Sequence, residues 1–429
     1  MKSYIYIILI ICPFQTFCQE LLPLDTCRKM AIGYNQYIKS AHSGFEAAGY
    51  DAQALKTDLY PRIDFGSNYR YLSNGIDING YETKDALEHI YNFKVGITKN
   101  IYSGGAVSKS HEIAQTQEII ASEEKRFTGA EIVLETDKTY WQVVADGELN
   151  NMAYRYRDII QYLVNTTLDK VEEEVLSKTE YLQAKVNLND SELKVIQSEN
   201  NLRLSEMALN RLIGNEITAE IAIADSIEVD FSIIDEIDYV QIALSTRPEM
   251  KIRENLVTVS DLNVGLTKSP YMPTIGVGAL GRWGTPGENL SSDPRWGYQV
   301  FGYLNLPLIY FGKRGKEVEA SQIRNQIAVY QLDKIGDLVT LEVNQARYAL
   351  EESVRKVDLT QNSLLQADEN LDLITYRYIE GLSPIIDVLN AQLFWESAYV
   401  DFVVAKKEFQ INYSLYIKSL GLNYIEPEE

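Results

Sequence analysis

The sequence predicts a mostly α-helical, internally duplicated chain with a β part that crosses a membrane, and three observations predict it. Two proline-free stretches, 105–175 and 315–381, carry apolar residues at steps of three and four. Each is preceded by a pair of alternating apolar/polar segments of roughly 9–11 residues, the length that crosses a bilayer when tilted. The second half of the chain repeats the first at an offset near 207 residues.

The elements follow in order. Met1-Lys2-Ser3 precedes an apolar run, Tyr4 to Ile11, too short to span a bilayer as a helix. It reads as a secretory signal over 1–18, cleaved after Cys18 or, on the competing reading, lipidated there; Cys27 is then the only thiol. A helix over 24–59 stops before Pro61. Ile63, Phe65, Tyr69 and Tyr71 share one face of the first strand, and Tyr91, Phe93, Val95 and Ile97 one face of the second. Gly104-Gly105 marks a bend into a helical rod of about 100 Å, with Met152, Tyr156, Ile159 and Leu163 as its apolar row. The rod turns near Glu174 and returns as a helix over 178–213.

After a connecting segment, 215–240, which is expected to form a small side domain with the tail, 422–429, the order recurs. A helix around 240–270 follows Arg247-Pro248-Glu249; strands with Ile275, Val277, Ala279 and Trp283, then Trp296, Tyr298, Val300 and Leu304, come next; polar loops lie at 73–89 and 284–295. A second rod, with Leu364, Ala367, Leu371, Ile374 and Tyr378 as its row, turns near Gly381 and returns over 384–420. Leu182, Val186, Leu193 and Ile196 fall on Leu389, Leu393, Val400 and Val403. Ile101-Tyr102-Ser103-Gly104 matches Ile309-Tyr310-Phe311-Gly312 at an offset of 208, which implies a one-residue insertion between. The chain therefore reads as two repeats, 19–214 and 241–421.

Composition narrows the function. Asp and Glu number 61 against 40 Lys and Arg, a net charge of −21, which argues against a nucleic-acid partner. His42, His89 and His111 are the only histidines and stand in no zinc spacing; no phosphate loop or Ser-His-acid arrangement is readable, so neither catalysis, a metal nor a cofactor is expected. The 29 Tyr suit interface belts and barrel walls. Four strands cannot close, and an open edge is not tolerated in lipid, so at least two chains share a barrel; three would supply twelve strands and leave a channel.

Arg377-Tyr378-Ile379-Glu380-Gly381 and Asp387-Val388-Leu389-Asn390-Ala391-Gln392 resemble motifs of the TolC-type outer-membrane efflux proteins. Leu306-Pro307-Leu308-Ile309-Tyr310-Phe311-Gly312, Arg247-Pro248-Glu249 and Leu24-Asp25-Thr26-Cys27 are similar to further family segments, so the likeness covers the mature chain. It implies a homotrimer whose twelve strands form one β-barrel and whose helices form a coiled-coil tunnel through the periplasm. The tip of that tunnel would meet a periplasmic adaptor joined to an inner-membrane transporter. The alternatives are a protein-secretion outlet and an exported scaffold without a pore. Departures are Glu174 where the family often has Gly, Asn100 near the place of Pro307, and Asn390 and Ser383 for residues that some members use at the tip.

Asp387 and Glu180 occupy equivalent places one to two turns past the tip, where a threefold ring of carboxylates would favour cations. The same acids also suit a helix N-terminal turn. Arg377, Tyr378, Gly381, Glu174 and Ser383 are expected at the tip or its adaptor contact, with Gly381 supplying a positive φ. Tyr69, Tyr71, Trp283 and Trp296 are expected in a membrane-interface belt.

Overall fold

A computed structural model describes residues 21–76, 87–223, 239–286 and 293–422. The signal over 1–18 and the tail 423–429 lie outside them, as does most of the connecting segment. Eight helices and four strands run in the order α1 (Leu24–Tyr34), α2 (Gln36–Thr57), β1 (Arg62–Ile76), β2 (Leu87–Ser103), α3 (Ala106–Glu172), α4 (Lys178–Ile213), α5 (Tyr239–Thr246), α6 (Pro248–Lys268), β3 (Thr274–Thr285), β4 (Arg295–Asn305), α7 (Lys313–Ile379) and α8 (Ile385–Ser419).

Two helices expected whole are each divided. Asn35 turns extended (φ −60°, ψ 129°) and its side chain accepts from the Tyr37 amide at 2.8 Å, so it ends α1 and caps α2. Arg247 turns extended because Pro248 disfavours a helical residue before it. Chain chemistry at one residue overrides periodicity in both places.

The long helices match in detail. α3 and α7 are both 67 residues, and each begins after two consecutive left-handed residues, Gly104-Gly105 and Phe311-Gly312. Glu174 and Gly381, also left-handed, close the two rods. All these pairs are 207 apart, so the insertion inferred from the 208 match disappears: Phe311, not Gly312, stands where the first half has Gly104. The apolar row of α3 differs from the expected one at a single position: Met152, Tyr156 and Leu163 are buried, but Ile160 is buried in place of the exposed Ile159.

Packing within the helical rod centres on separate hydrophobic cores. Near its middle, α3 is buried nearly all round by α1, α4 and α8, in a core with Cys27, Ala31, Val133, Tyr140, Leu209 and Val403. Arg28 on α1 donates to Asp137 on α3 through Nε and Nη2 at 2.6 and 2.7 Å. Leu22 bridges Ile223 in parallel, so the start of the connecting segment packs on the N-terminal stretch, while the expected side domain of that segment with the tail lies outside the described residues. α6 lies between α3 and α7, and α5, α7 and α8 share a second core around Val343, Leu350 and Phe409, the counterpart of the first core on the other rod. Lys194 to Glu396 (2.7 Å) and Lys406 to Glu148 (2.7 Å) tie the α3–α4 hairpin to α8.

The strands form one antiparallel sheet in the order β1-β2-β3-β4, the two halves joined by β2 against β3. β1 and β2 are longer than expected, 15 and 17 residues. Gly276 and Gly278 of β3 lie beneath the rings of Tyr303 and Phe301: a Cβ there would come within 2.3 and 2.6 Å of them. This explains why β4 carries aromatics on both faces.

Candidate functional site

Two regions carry the chemistry: the turned tip of the helical rod and the outward face of the sheet. At the tip, the α3–α4 and α7–α8 turns are built alike. The Val175 amide reaches back to the Lys170 carbonyl at 2.9 Å, and the Leu382 amide to the Arg377 carbonyl at 2.8 Å, each across a left-handed residue. This is the Schellman closure, in which a positive φ lets later amides satisfy orphaned helix carbonyls. Glu174 adopts it at φ 59° without glycine, so this departure from the family leaves the backbone of the turn like that at Gly381.

Tyr378 is buried at the end of α7, its hydroxyl 2.7 Å from the Thr167 hydroxyl on α3. Lys170 donates to the Tyr378 and Ile379 carbonyls at 3.1 and 3.0 Å, and its ammonium lies 4.9 Å from the Tyr378 ring centroid. A cation on the last carbonyls of α7 complements the helix dipole, and here it comes from the other hairpin. Burial first, and then the charge of Glu180, push the Tyr378 hydroxyl pKa up, so it stays a neutral hydrogen-bonding group. Arg377, Gly381 and Glu174 are exposed and Ser383 is half-exposed.

The two equivalent acids are not in equivalent surroundings. Asp387, in the first turn of α8, is exposed; Glu180, in the first turn of α4, is half-buried with Oε2 turned inward. Sequence reasoning did not single out Thr167 or Lys170. Thr167 had a signal, since it continues the row Tyr156, Ile160, Leu163 as a polar residue at a seam position. Lys170 had none beyond being a cation near a helix end.

On the sheet, cross-strand register places Ile63, Ile97, Ala279 and Val300 in one row, and Phe65, Val95, Gly281 and Tyr298 in the next. Toward the loop end, Phe93, Trp283 and Trp296 form a third row with ring centroids 5.7 and 6.4 Å apart. Tyr69 pairs with Tyr91 there, and its hydroxyl lies 2.9 Å from His89 Nδ1; Tyr71 stands over the same imidazole at 5.2 Å between centroids. This face is open: Ile63, Phe65 and Val300 are 71, 69 and 80% exposed. The opposite face carries Asp64, Asn68, Lys94, Arg282 and Gln299. Apolar outward, polar inward and an aromatic row at one rim is the pattern of a wall standing in lipid. Among the described residues no helix is long and apolar enough to cross a membrane.

The family model for outer membrane efflux proteins matches residues 28–215 and 239–421, nearly all of the chain between its ends and the connecting segment. The chain belongs to the outer membrane efflux protein family. Members similar to it include the probable efflux pump outer membrane protein TtgC and the antibiotic efflux pump outer membrane protein ArpC, both of Pseudomonas putida. Each is 22% identical over 368 residues, which cover 83% of this chain and 74% of the relative. Among solved structures, the outer membrane channel CmeC of Campylobacter jejuni aligns at a TM-score of 0.80 with 18% identity, over 95% of this chain and 87% of that one. The open state of the MtrE channel of Neisseria gonorrhoeae aligns at 0.78 with 16% identity, over 93% and 89%. These two establish the fold: a helical barrel carrying a β-barrel. This efflux protein is a component of the outer membrane of a Gram-negative cell, extends into the periplasm, and belongs to a channel family rather than a family of enzymes.

Proposed function

We propose that three copies of this chain assemble into one passive duct, which accepts substrates from an inner-membrane transporter through a periplasmic adaptor and releases them across the outer membrane. The observation that carries the reading is the sheet: one apolar face in the open, one polar face, and two edge strands, β1 and β4, that lipid does not tolerate unpaired. Four strands from each of three chains give twelve, enough for a barrel with a lumen. An apolar row on α4, Leu182, Val186, Leu193 and Ile196, is exposed beside the buried row Ala184, Leu188 and Val195, so α4 carries a second seam for a neighbouring copy.

Efflux is preferred to protein secretion because the relatives that match most of the chain are efflux pump proteins. The antibiotics named for one of them suggest small, partly apolar cargo here. The tip would meet the adaptor through exposed Arg377, Glu174, Gly381 and Ser383, while Tyr378, locked by Thr167 and Lys170, holds the two hairpins of a protomer together. Asp387 would form the ring that favours cations, and Glu180, with one oxygen inward, would add charge behind it. Tyr69, Tyr71, Trp283 and Trp296 would sit in the headgroup layer. In planar bilayers, Asp387→Ala is expected to lower cation selectivity and weaken block by trivalent cations. Unchanged selectivity and block would remove Asp387 from the ring and leave the duct standing; absence of any conductance from wild-type trimers would remove the duct.

A further inference from the structure

From the geometry of the β4–α7 joint, we infer that this protein carries, on each copy, a binding surface for anionic phospholipid in the periplasmic leaflet of the outer membrane. The first observation is Phe311. It has a positive φ of 46° and is 98% exposed. An aromatic side chain in that region is strained, by an amount that only surrounding structure or function sustains. The twin position in the first half is Gly104, where a Cβ would meet the Ser269 carbonyl oxygen at 2.6 Å. Among the described residues the Phe311 ring is almost wholly free of its own chain, so packing there does not offset the strain of its conformation. Its ring is therefore placed for something outside the chain.

The second observation is what surrounds it. Leu308, Ile309 and Phe311 are exposed, and Lys313, Arg314 and Lys316 follow directly, with no acid between Leu306 and Lys316. In a chain with net charge −21 this is an apolar-then-basic collar. Arg314 makes no ion pair among the described residues, while Lys313 and Lys316 pair only with exposed Glu317 and Glu319.

Height supplies the third observation. From Trp296 at the rim, β4 runs to Asn305, about 30 Å of strand and about 23 Å along the membrane normal at the usual tilt, close to the height of an outer-membrane apolar band. The collar thus begins where the hydrocarbon ends on the periplasmic side. It also continues the outward row of Val300 and Leu304. Apolar groups at the acyl boundary with cations one turn further are the chemistry of an anionic headgroup site, since long basic side chains reach phosphates while their stems stay against apolar surface. A neighbouring copy is the other conceivable occupant; the outward direction of the row favours lipid.

The inference rests on the outer-membrane placement of the sheet, not on the tip or the cargo. The test is native mass spectrometry of the full-length detergent-solubilised trimer with added phosphatidylglycerol or phosphatidylethanolamine. Wild type is expected to retain phosphatidylglycerol preferentially, and Arg314→Gln/Lys316→Gln to lose about tenfold or more of that preference, at roughly fivefold per cation, while remaining trimeric and conducting in bilayers. Phe311→Gly, which relieves the strained φ, is expected to hold fewer lipids of either kind in an intact trimer. Equal retention of the two lipids by wild type, or a preference that survives the double substitution, would overturn the inference. Dissociation of the double variant into single chains would also overturn it, placing the collar between copies instead.

Discussion

Glu174 and Gly381 show one backbone conformation reached by two residue types. Both close a 67-residue helix in the left-handed region, at φ 59° and 75°. A non-glycine residue is strained there by about 1–2 kcal/mol. Glu174→Gly is therefore expected to stabilise the tip by about 1 kcal/mol, and Gly381→Ala to destabilise it by about 1–2 kcal/mol. Nothing lies within 4 Å of the added Cβ at Gly381, so strain alone sets the effect. Denaturant midpoints of the two variants, moving in opposite directions, check this; a shared direction would show that the turns are not equivalent. The residue scale is also where sequence reading ran out. Asp387 and Glu180 look like twins by position, yet one is exposed and the other leans on Tyr378, because the partner hairpin differs on the two sides.

At the scale of elements, the joints are held by side chains from distant parts of the chain. Tyr271, in the 3-10 turn Ser269–Tyr271 before β3, donates to Glu317 on α7 at 2.5 Å. That bond holds the Glu317 carboxyl below its usual value of 4.5 and pushes the Tyr271 hydroxyl from 10.0 to about 12. A carboxylate with a depressed folded pKa contributes stability that is present above its unfolded value and lost as pH falls through the folded one. A tyrosine with a raised pKa contributes stability that is present below 10 and lost as pH rises through about 12. The stability gap between wild type and Tyr271→Phe is therefore expected to be full at pH 7 and to close below pH 4.5. Thermal unfolding of both proteins across that range reads it, and a gap independent of acid would show that the bond is not what the substitution removes.

Elements were the most legible scale. Proline-free stretches with three-four spacing became α3 and α7, and alternation became the four strands, with the expected apolar rows on one face of the sheet. The breaks at Asn35 and Arg247 were not anticipated, although Asn at a cap and Pro after Arg are both local signals. The pairing of β2 with β3 was not readable, since it joins residues separated by the whole of α3 to α6.

For the whole molecule, the proposed assembly rests on unfinished surfaces. The row Leu182, Val186, Leu193 and Ile196 on α4 is exposed in one copy, as are both sheet edges. Val186→Asp/Leu193→Asp is expected to leave helix content unchanged and convert trimers to monomers, read by circular dichroism and light scattering in detergent. Trimers that persist would place the neighbouring copy on another face.

Sequence by itself determined the duplication, the strand-then-rod order and which residues share a strand face, because periodicity of 2 or 3.6 and the position of proline act through neighbouring residues. Tertiary structure alone decided that the halves share one sheet, that the repeat runs at 207 from the start of each rod to its turn without an insertion, and that Lys170 and Thr167 from one hairpin hold Tyr378 of the other. Those contacts join residues about two hundred positions apart, where no local pattern constrains which side chains meet.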